Sequence, residues 1–357
     1  MTSDPRQSNG SFSPIPKAIT SPLFKELLAG QTGNLDRRHP IRIITGNANP
    51  RLAQDISTHL RLNLHPCNVS KFANGEINIK IQEKVRGDDV FIVQSMCAGE
   101  TQEINTSVME LLLLIHTARL ASARRITAVV PYYAYSRQDR KTESRVPISA
   151  SAIARLIQEM GADRVYTVDL HCGQIQGFFH NTPLDNLMVY PELVKYIQRK
   201  GCDPQRTVIV SPDAGGVERA KNVANLLMAH HVVTILKRRS EAGKIDSMQT
   251  VGDVKGFTCY LIDDIVDTGN TLVSAVNLLK EMGAEKVIAF ATHGILTEPC
   301  CERINSCAGL IEVVVTDSIP QGEHQQRCRK LKVLPLASLI AEAILRVNNE
   351  MSISEMF

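Results

Sequence analysis

Three carboxylates within five residues, Asp263, Asp264 and Asp267, close an apolar run and lead directly into Thr268-Gly269-Asn270-Thr271. The run Cys259-Tyr260-Leu261-Ile262 predicts a buried strand, and the apolar spacing from Leu272 to Met282 predicts a helix. A helix N-terminus carries unpaired backbone N–H groups and the positive end of the helix dipole, which suits a phosphate. Gly269 allows close backbone approach, and Thr268 and Thr271 add hydroxyl donors. The carboxylates would repel that phosphate, so Asp263 and Asp264 must serve other chemistry. Sugar hydroxyls fit them, as does Mg²⁺ held by oxygen ligands. The bland alternative is an acidic turn in which Asp267 or Thr268 caps the next helix. Three carboxylates at the end of an apolar strand favour the site, because α/β proteins bind ligands at the C-terminal ends of their strands.

Other segments end strands in the same way. Asp169 and His171 close Val165 to Leu170. A lone imidazole is by default buried and hydrogen-bonded. Here it leaves the strand beside Gly173, Gln174 and Gln176, and so competes as a metal or phosphate contact. Asp213, in Ser211-Pro212-Asp213-Ala214-Gly215-Gly216, reads either as a turn cap or as a group holding a metal or its waters. Arg137, Gln138 and Asp139 open a charged loop with four cations in nine residues, Arg137 to Arg145, either a solvated face or an anion site. Lys237, Arg238 and Arg239 end the strand predicted from Val232 to Lys237 and run into a polar loop. They read as an exposed hairpin or as cations closing over polyphosphate, the guanidinium as a fork and the ammonium as a point charge. The P-loop pattern is absent, which excludes a P-loop NTPase. Phe72-Ala73-Asn74-Gly75-Glu76 taken alone is a turn into the alternating Ile77, Ile79 and Ile81.

Short β-branched runs alternate with helical patterns from Ile41 to Val347, predicting mainly parallel sheets covered by helices. The grammar repeats in two halves, which suggests two similar domains with a cleft between them. The chain has 357 residues, long enough for two such domains. Its net charge is only +3, it has no Trp and aromatics are 4%, which argues against nucleic acid. The longest apolar run, Leu111 to Ile115, is too short to span a membrane. Nine scattered Cys, an odd count without C-x-x-C, read as reduced thiols. Residues 1–40 are rich in Ser and Pro near their start, lack a secretory core, and read as a flexible extension on a cytoplasmic protein, with a targeting or assembly role as the alternative.

Taken together the motifs closely resemble the ribose-phosphate pyrophosphokinase family. The resemblance runs from about Ile41 to Phe357. It rests on Phe72-x-Asn74-x-Glu76, Val85-Arg86-Gly87, Tyr135-x-Arg137-Gln138-Asp139, Ser144-Arg145-x-Pro147-Ile148-Ser149-Ala150 and Asp169-Leu170-His171. It rests equally on the Gln174 to Phe179 run, Ser211 to Gly216, Val251-Gly252-Asp253-Val254, and the Asp263 loop. It implies an α/β fold of two similar phosphoribosyltransferase-like domains, 41–187 and 188–336, the first completed by 337–357. It implies Mg²⁺-dependent transfer of a diphosphoryl group from ATP to ribose 5-phosphate. ATP would meet Phe72, Asn74, Glu76, Arg137, Gln138, Asp139 and His171, with the first three reaching a neighbouring subunit's site. His171 and Asp213 would stand at the metal. Asp263 and Asp264 would take the ribose hydroxyls, and Asp267, Thr268, Gly269, Asn270 and Thr271 the sugar phosphate. Lys237 and Arg239 would stabilise the transition state.

The same resemblance implies homo-oligomers, dimers assembling to a hexamer, and an allosteric site for inorganic phosphate at Arg86, Arg145, Ser352 and Ser354. Lys84 and Gly173 depart from the residues most common beside that site. Two rivals stand: a non-catalytic regulatory subunit, which would lack the loop residues present here, and a phosphoribosyltransferase, which would have no purpose for the adenine motifs.

Overall fold

The computed structural model of the chain describes residues 22, 24, 25, 39–99, 102–238 and 247–357. In the first half β1 (Ile41–Thr45) leads into α1 (Pro50–His59), whose start is set by Pro50 and by Asn49, its side chain accepting from Leu52 N. A hairpin of β2 (Cys67–Lys71) and β3 (Ile77–Ile81) stands apart as a sheet of its own. Then follow β4 (Asp89–Val93), α2 (Ile104–Leu120), β5 (Arg125–Val130), α3 (Ser149–Glu159), β6 (Arg164–Val168) and β7 (Leu184–Leu187). These strands form a parallel sheet in the order β1-β4-β5-β6-β7.

The second half runs α4 (Tyr190–Arg199), β8 (Thr207–Ser211), α5 (Val217–Leu227), β9 (His231–Arg238), β10 (Ser247–Val251), β11 (Thr258–Val266) and α6 (Asn270–Glu281). It continues with β12 (Lys286–Gly294), α7 (Cys300–Ser306), β13 (Leu310–Thr316), α8 (Gly322–Arg327), β14 (Leu331–Leu334) and α9 (Ala337–Asn348). Its sheet has the order β10-β9-β8-β11-β12-β13-β14, parallel except for the β9–β10 pair. Strands β4 and β8 are buried along their whole length, as parallel strands covered on both faces must be.

One core runs through both sheets. It joins Ile43 and Phe91 of the first to Ile209, Tyr260 and Phe290 of the second, with Leu52 and Ile56 of α1 and Ile340 and Ile344 of α9. Helix α9 packs on α1, Tyr166 donates to Ala343 O, and Asn348 donates to Asp89 Oδ2 at 2.9 Å, so the last helix is held by the first sheet. Two further cores cover the remaining faces, one around Leu111, Ile115 and Ile157, the other around Leu261, Val276 and Leu279.

Three readings of the sequence change. The strand before the carboxylates does not stop at Ile262. β11 continues to Val266, because its β12 partner pairs with it that far, so Asp263 and Asp264 are strand residues. Helix α6 begins at Asn270 with Gly269 in the N-cap position, so neither Asp267 nor Thr268 caps it. Within the N-terminal extension Phe24 is 1% exposed and belongs to the shared core, because an aromatic side chain there removes a large apolar area from water. The rest of residues 1–40 lies outside the described residues, save 22, 25, 39 and 40. All nine cysteines are free thiols.

Candidate active site

The C-terminal ends of the two sheets face a cleft of about 1360 Å³. β6 delivers His171 from one side and β11 delivers Asp263 and Asp264 from the other. They meet directly: His171 Nδ1 lies 2.7 Å from Asp264 Oδ2. Arg219, on α5, places Nη1 3.7 Å from the other oxygen, Asp264 Oδ1. Asp263 Oδ1 accepts from the backbone N–H of Asp264 at 2.9 Å.

The two adjacent carboxyls are driven apart electrostatically. Burial pushes Asp263 well above the usual carboxylate range, and the neighbouring Asp264 charge adds to it. Burial also opposes the charge on Asp264, but the hydrogen bond from His171 and the Arg219 guanidinium more than offset it, so Asp264 is held low. The same hydrogen bond raises the His171 imidazole, against burial. The pair therefore presents one carboxylate held firmly ionised beside one whose proton affinity is raised.

The loop from Asp267 to Thr271 lies across the cleft floor, with Asp267, Thr268, Gly269 and Thr271 among its lining residues. Gly269 has φ +78°, and a Cβ there would meet Cys300 Sγ at 2.9 Å, so both the backbone angle and the space beneath it demand glycine. Arg303 Nη1 donates to Thr268 O at 2.7 Å and holds the loop from α7. Asp267 Oδ2 receives Arg137 Nη1 at 2.8 Å, an ion pair that spans the cleft. Asp213 Oδ1 accepts from Gly215 N at 3.0 Å and Gly216 N at 3.2 Å, and its residue lines the same cleft.

The structure thus brings together Arg137, Asp139, His171, Asp213, Asp263, Asp264, Asp267, Thr268, Gly269 and Thr271. Asn270 is exposed at the start of α6 and is not among the lining residues. Gln138 is turned away: its Oε1 accepts from Ser149 Oγ at the start of α3. Phe72, Asn74 and Glu76 stand on the exposed β2–β3 turn, outside this chain's own cleft, with Phe72 54% exposed. The backbone of Lys237 is in β9, opposite Met248, and Arg239 lies outside the described residues. Ser352 and Ser354 line a second cavity of about 430 Å³ with Arg125 and Arg164, while Arg86 and Arg145 are exposed elsewhere. Sequence reasoning missed Arg219 and Arg303. Nothing in the residues around either one marks it as facing a strand end.

Among the described residues no group of three or more His, Cys, Asp or Glu side chains is arranged to hold a metal by itself. Mg²⁺ commonly keeps its waters and takes only one or two carboxylates plus substrate phosphates. The cleft fits that sparse mode: oxygen donors from Asp213 and Asp263 and one imidazole, in a space large enough for a polyphosphate.

Comparison with known proteins agrees with this geometry. Residues 41–161 match the family model described as the N-terminal domain of ribose phosphate pyrophosphokinase. Residues 229–357 match the phosphoribosyl synthetase-associated domain. The ribose-phosphate pyrophosphokinase of Pasteurella multocida is 47% identical over 318 residues, covering 89% of this chain and 99% of that one. The chain belongs to the ribose-phosphate pyrophosphokinase family. Ribose-phosphate pyrophosphokinase A of Dictyostelium discoideum is 45% identical over 317 residues, 89% of this chain and 98% of its own. The crystal structure of phosphoribosylpyrophosphate synthetase from Mycobacterium smegmatis superposes with a TM-score of 0.80 at 41% identity, covering 87% of this chain and 99% of that one. The pyrophosphokinase family thus accounts for both sheets, and no helix among the described residues is long and apolar enough to cross a membrane.

Proposed function

We propose that the chain transfers the diphosphoryl group of ATP to the 1-hydroxyl of ribose 5-phosphate, giving 5-phosphoribosyl 1-diphosphate and AMP for nucleotide biosynthesis. The observation that carries this reading is the meeting of His171 and Asp264 across the cleft, above a glycine-started helix N-terminus. It joins a polyphosphate side to a sugar-phosphate side at one point.

The sugar phosphate sits on the N–H groups from Asp267 to Thr271, where the helix dipole favours an anion. Asp263 and Asp264 accept from the ribose hydroxyls and hold the sugar with O1 toward the nucleotide. His171 and Asp213 are the residues that would hold Mg²⁺, which when bound supplies charge neutralisation on the transferring phosphates. Arg137 and Asp139 flank the nucleotide phosphates. The ribose 1-hydroxyl attacks the β-phosphorus in line and releases its proton to solvent, forming the O1–P bond while the bond from that phosphorus to the oxygen of the α-phosphate breaks. AMP leaves with that oxygen and its electron pair. Lys237 and Arg239 stabilise the charge spread over the transferring oxygens. Positioning and electrostatics carry the acceleration, and no covalent intermediate is required.

The exposed Phe72, Asn74 and Glu76 support a homo-oligomer in which one copy's hairpin completes the adenine pocket of another, dimers building a hexamer. Inorganic phosphate as activator belongs to the same proposal. Its site is the one formed by Arg86, Arg145, Ser352 and Ser354; the Arg125 and Arg164 guanidiniums that share a cavity with the two serines are already paired with Asp89 and Asp185. A cytoplasmic location, with neither membrane nor nucleic acid as partner, fits these small charged substrates.

The deciding experiment measures AMP release from ATP and Mg²⁺, with and without ribose 5-phosphate, across a phosphate titration. Sugar-dependent AMP is the expected result. AMP release indifferent to the sugar, or absent from folded protein, refutes the transfer.

A further inference from the structure

At the wall of the cleft, whose lining includes Asp169, lies a buried polar cluster that none of the proposed roles uses. Asp169, at the end of β6, is 5% exposed and has φ +39°, a left-handed conformation unusual for a residue other than glycine. Among the described residues it has no ion pair. Its Oδ2 accepts from Thr292 Oγ1 at 2.5 Å and its Oδ1 from Val189 N at 3.4 Å. Its main-chain oxygen and that of Val168 face His293 Nε2 at 3.2 and 3.0 Å. Two carbonyls require Nε2 to carry the proton, so Nδ1 accepts from Ser318 Oγ at 2.8 Å. Burial pushes the His293 imidazole down, in keeping with that neutral tautomer.

We infer that Thr292 and His293 are positioning residues: with Asp169 they form a clamp between the sheets that aims His171 at Asp264. Three observations converge on it. First, β12 carries Thr292 and His293 and pairs with β11 around Asp264, Asp263 opposite Ala291 and Ile265 opposite His293. The unit that sets Asp264 is thus the unit that grips the end of β6. Second, His171 lies two residues beyond Asp169, so the direction in which Asp169 turns the chain sets the imidazole's approach. A strained backbone persists only where its surroundings over-determine it, and here the other sheet supplies the partners of Asp169 Oδ2 and of its main-chain oxygen. Third, a buried carboxylate satisfied by a hydroxyl and a backbone N–H, with no cation, is a poor source of stability. Simple adhesion between the sheets is met more cheaply by the shared apolar core.

This inference rests on the proposed transfer for its kinetic readout but not for its second one. Thr292→Val keeps the shape and removes the hydroxyl; Thr292→Ser keeps the hydroxyl. With both variants folded by thermal melt, Thr292→Val is expected to lower kcat about tenfold, the loss of one hydrogen bond to a charged group. KM for ribose 5-phosphate should stay within about twofold, since the Thr292 hydroxyl reaches Asp169 and none of the proposed sugar contacts. Thr292→Ser should restore kcat. The second readout is the rate at which diethyl pyrocarbonate modifies His171, followed by peptide mass spectrometry against the exposed His180. It should rise several-fold in Thr292→Val and return in Thr292→Ser. Unchanged kcat and unchanged His171 reactivity in Thr292→Val overturn the clamp. So does a kcat loss that Thr292→Ser fails to restore. An inactive parent protein refutes the transfer instead, and the His171 reactivity then decides the clamp alone.

Discussion

At the scale of single residues, the chemistry of the cleft lies in an asymmetry between two adjacent carboxyls. Asp264 is held ionised by His171 and Arg219, whereas Asp263, buried beside that charge, is pushed up. Replacing Asp264 with Asn leaves the imidazole without its charged partner and Arg219 without its countercharge. Asp264→Asn is expected to reduce kcat/KM by about a hundredfold or more, measured as sugar-dependent AMP release, with a change in melting temperature too small to explain it. Lys237 is expected to act differently, on charge that develops only during transfer. Lys237→Ala should therefore lower kcat far more than it changes the KM of either substrate. Equal losses in both would assign Lys237 to ground-state binding. These residues were legible because each follows an apolar run, where strand-end chemistry sits. Arg219 and Arg303 were not legible, since a cation on a helix gives no local sign of which strand end it faces.

Among the elements, β11 and α6 do most to shape the site, and the turn between them is its tightest point. The apolar run before Asp263 announced a strand. What extended that strand to Val266 was its pairing with β12, a non-local contact with no mark in the local residue pattern. Gly269 was legible as a point of close approach, but its neighbour beneath, Cys300, was not. Gly269→Ala forces a side chain into positive φ and against that sulfur, a strain of about 1–3 kcal/mol. Its expected signature is a raised KM for ribose 5-phosphate with KM for ATP little changed. Adding Cys300→Ala should recover only part of the loss, because the backbone angle remains. Phe24 makes a similar point in the extension: its burial in the core with α1 and α9 predicts that Phe24→Ala lowers stability, by as much as about 3–5 kcal/mol if the site does not collapse. Denaturant unfolding measures it directly, and a wild-type midpoint would show that Phe24 does not anchor the segment.

For the whole molecule, the cleft of one chain is incomplete in the terms proposed for it, because Phe72, Asn74 and Glu76 stand outside it. If a neighbouring copy supplies them, Phe72→Ala and Asp264→Asn chains, each impaired alone, should regain activity when mixed and allowed to exchange subunits. Failure to complement, in a preparation shown by sedimentation to exchange, would place the adenine contacts within one chain. What the order of residues was enough to establish is local or periodic: alternating strands and helices, apolar runs ending in Asp or His, a glycine at the opening of a helix, and the family those motifs resemble. Such features follow from side-chain period and backbone conformation, which act over a few residues. The bond between His171 and Asp264, 93 positions apart, the ion pair of Arg137 with Asp267, and the clamp of Asp169 by Thr292 had to await the folded chain. They depend on how two sheets that share one core are set against each other, and the packing of that core, rather than any local preference, fixes the angle and distance between their strand ends.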